Sequence, residues 1–174
     1  MGFSMFFTAA LLLVFPVLVI VAALRDATSF TIPNWISLAL IGAFFPAALL
    51  LGVGLPQIGL HVAAGVAALV AGMVMFALRW IGGGDAKLFA AAGLWLGWSA
   101  AVPYLFYTAV AGGALALALV SMRSGWMRAY LVNGPAWVGR LATPGESAPY
   151  GVAIAVGAMA AFPASALMLA WGGL

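Results

Sequence analysis

Apolar residues run through this chain in long stretches, and charged residues appear only at the ends of the stretches or between them. A crossing of the hydrocarbon core takes about 20 apolar residues. Six stretches fit or approach that length: 3–24, 35–54, 58–80, 86–98, 101–122 and 150–171. They predict an all-α integral membrane protein, a polytopic bundle of six transmembrane helices forming a single membrane-embedded domain over 1–174. The first stretch has no basic residue ahead of it and is long for a signal peptide, so it is expected to stay as a span. The fourth is short and covers only about two-thirds of a typical core at ~1.5 Å per residue. Either the bilayer thins there, or Asp85 at its start lies below the interface in a water-accessible cavity. Residues 123–149 form the one sizeable loop, in which Trp126, Tyr130 and Trp137 alternate with Arg123, Arg128 and Arg140. That mixture predicts a segment lying along the membrane surface in contact with lipid. Gly93 and Gly97 form a G-x-x-x-G pair suited to close helix packing.

Composition narrows the chemistry. Apolar residues make up 67% of the chain and charged residues 5%, which excludes an ordinary soluble domain. No cysteine and a single histidine exclude disulfides, thiolate metal sites and a multi-histidine centre, so neither metal nor cofactor is expected. Six basic residues are too few for a nucleic-acid footprint. Their positions are more telling. In a six-span arrangement Arg25, Arg79, Lys87, Arg123, Arg128 and Arg140 all fall on one side. The positive-inside rule makes that side cytoplasmic and both termini periplasmic.

All three acids, Asp26, Asp85 and Glu146, fall on the same side. Ionisable groups at a membrane are functional candidates by default. Glu146, in a Thr-Pro-Gly-Glu-Ser setting, reads as a solvated loop residue, and His61, near the far side, as a structural one. Taken singly, Asp26 fits an interfacial turn and Asp85 fits the N-cap of the fourth helix. Taken together they are 59 residues apart with two crossings between, which returns the chain to one face at one depth. Two facing aspartates share a proton, so one serves as general base on a water while the other polarises a scissile carbonyl. Gly82, Gly83 and Gly84 leave the backbone bare beside Asp85, open to another chain. The same pair also suits a small membrane transporter or channel with an ion or proton site at Asp26 and Asp85. A non-catalytic assembly protein is the third option.

Gly82-Gly83-Gly84-Asp85-Ala86-Lys87-Leu88 resembles the G-x-G-D-x-K-L signature of the type IV prepilin peptidases, which are G-x-G-D membrane aspartyl proteases. Arg25-Asp26 followed by Ile32-Pro33-Asn34 is similar to the family's segment after the first helix, and Pro149-Tyr150-Gly151-Val152 to the opening of its last helix. The resemblance implies an aspartic endopeptidase of the bacterial inner membrane, its active site facing the cytoplasm, that removes the basic leader from prepilin or pseudopilin substrates. It implies Asp26 and Asp85 as the catalytic pair, with Gly82, Gly83, Gly84, Lys87, Pro33, Asn34, Pro149 and Tyr150 shaping the site. Lys87 reads as a partner of a carboxylate or of a lipid headgroup. The larger bifunctional members carry a cysteine-bearing insert linked to N-methylation. Its absence here implies a peptidase without methyltransferase activity, most like the short peptidases of Tad/Flp pilus systems.

Overall fold

The computed structural model describes residues 2–131 and 134–173, so part of the surface loop, residues 132–133, lies outside the described residues. Among the described residues all regular structure is helical. Helix α1 is Gly2–Ser29, α2 Asn34–Leu50, α3 Leu55–Ala77, α4 Gly83–Leu96 and α5 Ala101–Met122. Two short helices follow, α6 Gly125–Leu131 and α7 Ala136–Leu141. The chain closes with α8 Tyr150–Ala161, a 3-10 turn at Phe162–Ala164, and α9 Ala166–Gly172.

Among the described residues three helices are long and apolar enough to cross a membrane: α1, α3 and α5. The last expected span is broken. α8 with its 3-10 turn meets α9 at a bend of 41°, and the pair makes a fourth crossing if it is counted as one. Pro163 in the 3-10 turn explains the break, because it has no N–H to continue the helical ladder. α2 and α4 are apolar but shorter, 17 and 14 residues. α4 tolerates its length because protein, not lipid, surrounds it. Ten of its residues are buried, and it packs against α1, α2, α3 and α8.

Small residues let α4 approach so closely. The α3–α4 seam sets Gly65 against Leu94 and Gly72 against Ala86, while a Cβ at Gly93 would come within 2.8 Å of the Ala68 Cβ. Gly97, the second glycine of the G-x-x-x-G pair, has a different task. It ends α4 at φ +64°, where an added Cβ would strike the ring of His61. His61 is buried, and its Nδ1 lies 2.8 Å from the Leu94 carbonyl oxygen. A carbonyl only accepts, so Nδ1 carries the proton and satisfies one of the unpaired carbonyls at the end of α4. Aromatic side chains fill the space above it. Trp95 lies between Phe15 and Phe44, and its indole N–H donates to the Leu40 carbonyl at 2.8 Å. α5 packs on α8 and is mostly exposed, but its Tyr104 enters this core, stacked on the Phe89 ring.

The helix ends differ between the two faces. The α2–α3 turn uses Gly52 at φ +69° in a Schellman motif. At the opposite face the same left-handed position is filled by larger residues. Arg79 follows α3 at φ +62°, with Trp80 N–H donating to Met75 O and Arg79 N–H to Phe76 O; Phe30 follows α1 at φ +56°. Both strained positions flank the acids.

Candidate active site

Asp26 lies in the last turn of α1, not in the turn beyond it, and is only 5% exposed. Its Oδ2 accepts the Gly151 N–H at 2.7 Å, a contact between residues 125 positions apart. The reason is local. Pro149 is the N-cap of α8 and provides no side-chain cap, so the first amides of that helix need an acceptor from elsewhere. Asp26 supplies it from another helix, where a carboxylate also suits the positive end of the helix dipole.

Asp85 is the third residue of α4 and is 6% exposed. It is not the N-cap; Gly82 holds that position, and Asp85 Oδ2 reaches back to accept the Gly82 N–H at 2.9 Å. This is half of a capping box, since glycine has no side chain to complete it. The three glycines therefore do not form an open loop. Gly83 and Gly84 are already helical, and their constraints differ. A Cβ on Gly84 would sit 3.1 Å from the Ile32 Cβ and 3.3 Å from the Ile32 carbonyl oxygen, whereas one on Gly83 would make only ordinary contact with the Phe76 ring at 3.6 Å.

The two acids come together around Ile32. The Gly151 N–H holds Asp26, and the Ile32 that packs at Gly151 also packs at Gly84, next to Asp85. Ile32 wedges the group together. Its side chain would touch a Cβ at either Gly151 or Gly84, so α1, α4 and α8 close on one buried isoleucine. Each carboxylate is thus tied by Oδ2 to a helix-start amide. The other oxygen of Asp85, Oδ1, is buried with no hydrogen-bond partner among the described residues. A buried carboxylate oxygen is costly to leave unpaired, so it is positioned to accept from an incoming donor.

The remaining candidates form the rim. Pro33 is the N-cap of α2 and Asn34 its first residue. Lys87 Nζ donates to Asn34 Oδ1 at 2.8 Å, tying the first turn of α4 to that of α2. Tyr150 opens α8 next to Gly151 and lines two adjoining grooves. Glu146 stands apart with Arg140, 3.9 Å away, and Arg140 also lies over the Phe30 ring at 4.4 Å. Arg123 donates to the carbonyls of Leu141 and Glu146, which shapes the approach to α8. Among the described residues no three His, Asp or Glu side chains gather into a possible metal site. Sequence reasoning missed Gly151 and Ile32 as members of this cluster. Both lay inside quoted motifs, but nothing in the sequence paired position 26 with position 151.

Comparison with known proteins bears on this cluster. No curated protein and no solved structure matches the chain. The sequence profile of the type IV leader peptidase family matches residues 13–117. That segment is well over half of the chain and carries Asp26, Ile32 and the Gly82 to Lys87 run; the contact from α8 lies beyond it. The chain therefore belongs to the type IV leader peptidase family, a family of membrane-embedded peptidases.

Proposed function

We propose that the protein is an aspartic endopeptidase that cleaves the leader from type IV prepilins, of the Flp type, with Asp26 and Asp85 as its catalytic pair. The observation that carries this reading is a pair of buried carboxylates on separate helices, Asp26 anchored by the Gly151 amide and Asp85 by the Gly82 amide, both packed around Ile32. Asp85 Oδ1 is left uncommitted. Where two such carboxylates approach, like charge favours a state with one proton between them. The ionised member takes a proton from water as the water oxygen bonds to the scissile carbonyl carbon. The protonated member donates to the carbonyl oxygen. Collapse of the tetrahedral species breaks the C–N bond, and a proton passes to the departing amine. Gly82, Gly84, Ile32, Pro33, Asn34, Lys87 and Pro149 position the pair in this mechanism, and Tyr150 borders the approach.

In this reading α1, α3 and α5, the bent α8–α9 pair, and the shorter α2 and α4 are the six crossings. Both termini are periplasmic and the acids face the cytoplasm at the inner membrane. The charge distribution supports that orientation: all six basic residues lie in or beside the connections at the acid end. The test is co-expression with an Flp-type prepilin, with leader removal followed as a gel shift. Asp26→Asn and Asp85→Asn keep the size and an acceptor oxygen of each side chain, and each is expected to abolish cleavage while the protein accumulates in the membrane. Full cleavage by both variants would make the pair assignment wrong.

A further inference from the structure

We propose that the apolar helix of the substrate seats in a lipid-facing groove between α3 and α5, and that this groove delivers the cleavage junction to the carboxylates; the proposal rests on the prepilin-peptidase reading above. α3 and α5 do not pack along each other, since α3 lies on α4 and α5 on α8. The gap between them encloses about 460 Å³. Met75 and Leu105 stand on its sides and Phe89 and Ile154 on its floor.

The groove does not end in the membrane. At Trp80, Ile81 and Tyr150 it joins a second groove of about 590 Å³ that contains Gly82 and Ser147. The residues at the junction have informative neighbours. Ile81 precedes Gly82, the amide that holds Asp85, and Tyr150 precedes Gly151, the amide that holds Asp26. A chain passing from the apolar groove to the second one therefore crosses the junction one residue from both carboxylate anchors. The occupant that fits is a single polypeptide, apolar within the bilayer and polar at its face. A lipid tail matches only the first groove and has no reason to reach the second.

The α5 side carries Ala109, Gly113 and Ala116, all exposed. A Cβ at Gly113 would meet nothing within 4 Å, so its smallness is not required by packing inside this chain. Small residues at such a face admit close approach by another helix. The connection to the carboxylate anchors is the second, independent observation, and it makes the partner a substrate helix.

The experiment compares Gly113→Trp with Val110→Trp, a lipid-exposed α5 position outside the groove. The substrates are a full prepilin and a soluble peptide covering only its leader junction. Gly113→Trp is expected to lower kcat/KM for the full prepilin at least 10-fold and to leave the peptide within about twofold of the parent, with Val110→Trp unchanged on both. Normal cleavage of the full prepilin by Gly113→Trp, or equal loss on both substrates, overturns the proposal. The parent protein and Asp85→Asn are run alongside. If the parent does not cut, or Asp85→Asn does, the peptidase reading itself has failed, which is a different result. The chain has no cysteine, which permits a direct second measurement. Ala116→Cys, placed in the Asp85→Asn background so that substrate persists, is expected to cross-link to a prepilin bearing one cysteine in its apolar helix. No adduct, or an adduct only with a second copy of the enzyme, counts against the groove.

Discussion

Gly151→Ala isolates the contact by which α8 holds Asp26. The added methyl would lie 2.7 Å from Ile32 Cδ1, 2.8 Å from Asp26 Oδ2 and 3.0 Å from Asp26 Cβ. Carbon atoms settle at about 3.5 Å or more, so α1 and α8 must separate by roughly 0.5 Å at this point. Ile32 can turn its terminal methyl aside, but Asp26 cannot retreat without lengthening the 2.7 Å hydrogen bond from Gly151. Overpacking of this kind costs about 1–3 kcal/mol of stability. Its effect on catalysis is separate. A misplacement of about 1 Å at a reacting centre costs about 100-fold in rate, so a shift of half that is expected to reduce kcat/KM by about 10-fold, or about 1.4 kcal/mol of barrier.

Gly93→Ala is the matched control. Its methyl would meet the Ala68 Cβ at 2.8 Å, a similar overlap in the α3–α4 seam away from the acids. Both variants are purified in detergent, their unfolding midpoints are measured, and prepilin cleavage is assayed well below both midpoints. Gly93→Ala is expected to lose stability and keep the parent kcat/KM; Gly151→Ala is expected to lose both. If Gly151→Ala cuts within threefold of the parent, or if both variants lose rate only in proportion to unfolded protein, the Gly151–Asp26 contact does not set the catalytic geometry.

Two further predictions concern stability. His61→Leu removes the donor to the buried Leu94 carbonyl at the far end of α4 and is expected to cost about 1–3 kcal/mol by thermal unfolding, with cleavage by the folded fraction unchanged; an unchanged midpoint would rule out the capping role. Arg79→Gly is expected to be more stable than Arg79→Ala by about 0.5–1 kcal/mol, because glycine escapes the ~1–2 kcal/mol left-handed penalty at φ +62° while losing some of that gain to its larger unfolded-state entropy; the reverse order would mean that the turn relaxes without strain.

Much of this site could be read before folding because a membrane makes charge scarce. With three acids in the whole chain, Asp26 and Asp85 stood out as a candidate pair before any packing was known. The glycine run was conspicuous for the same reason, but its conformation was not. A Gly-Gly-Gly-Asp string reads as loop by propensity, whereas burial of α4 on four neighbours extends the helix back to Gly83. The Asp26–Gly151 bond could not be read at all. Its cause is that Pro149 leaves α8 without a cap of its own, and only three-dimensional packing shows which distant carboxylate supplies one. The bend between Ala164 and Ala166 lies two residues beyond Pro163, and the roles of Gly97 and His61 appear only once their two helices stand side by side.

The span of 125 residues between Asp26 and its amide partner also has a consequence for biosynthesis. At roughly 5–20 residues per second, Asp26 emerges from the ribosome about 6–25 s before Gly151 does. During that interval the first carboxylate is already in the bilayer, without the helix that fixes it. On the proposed role of Asp26, the nascent chain is therefore an unarmed hydrolase until α8 docks, and proteolytic competence then arrives as one late event near the end of translation.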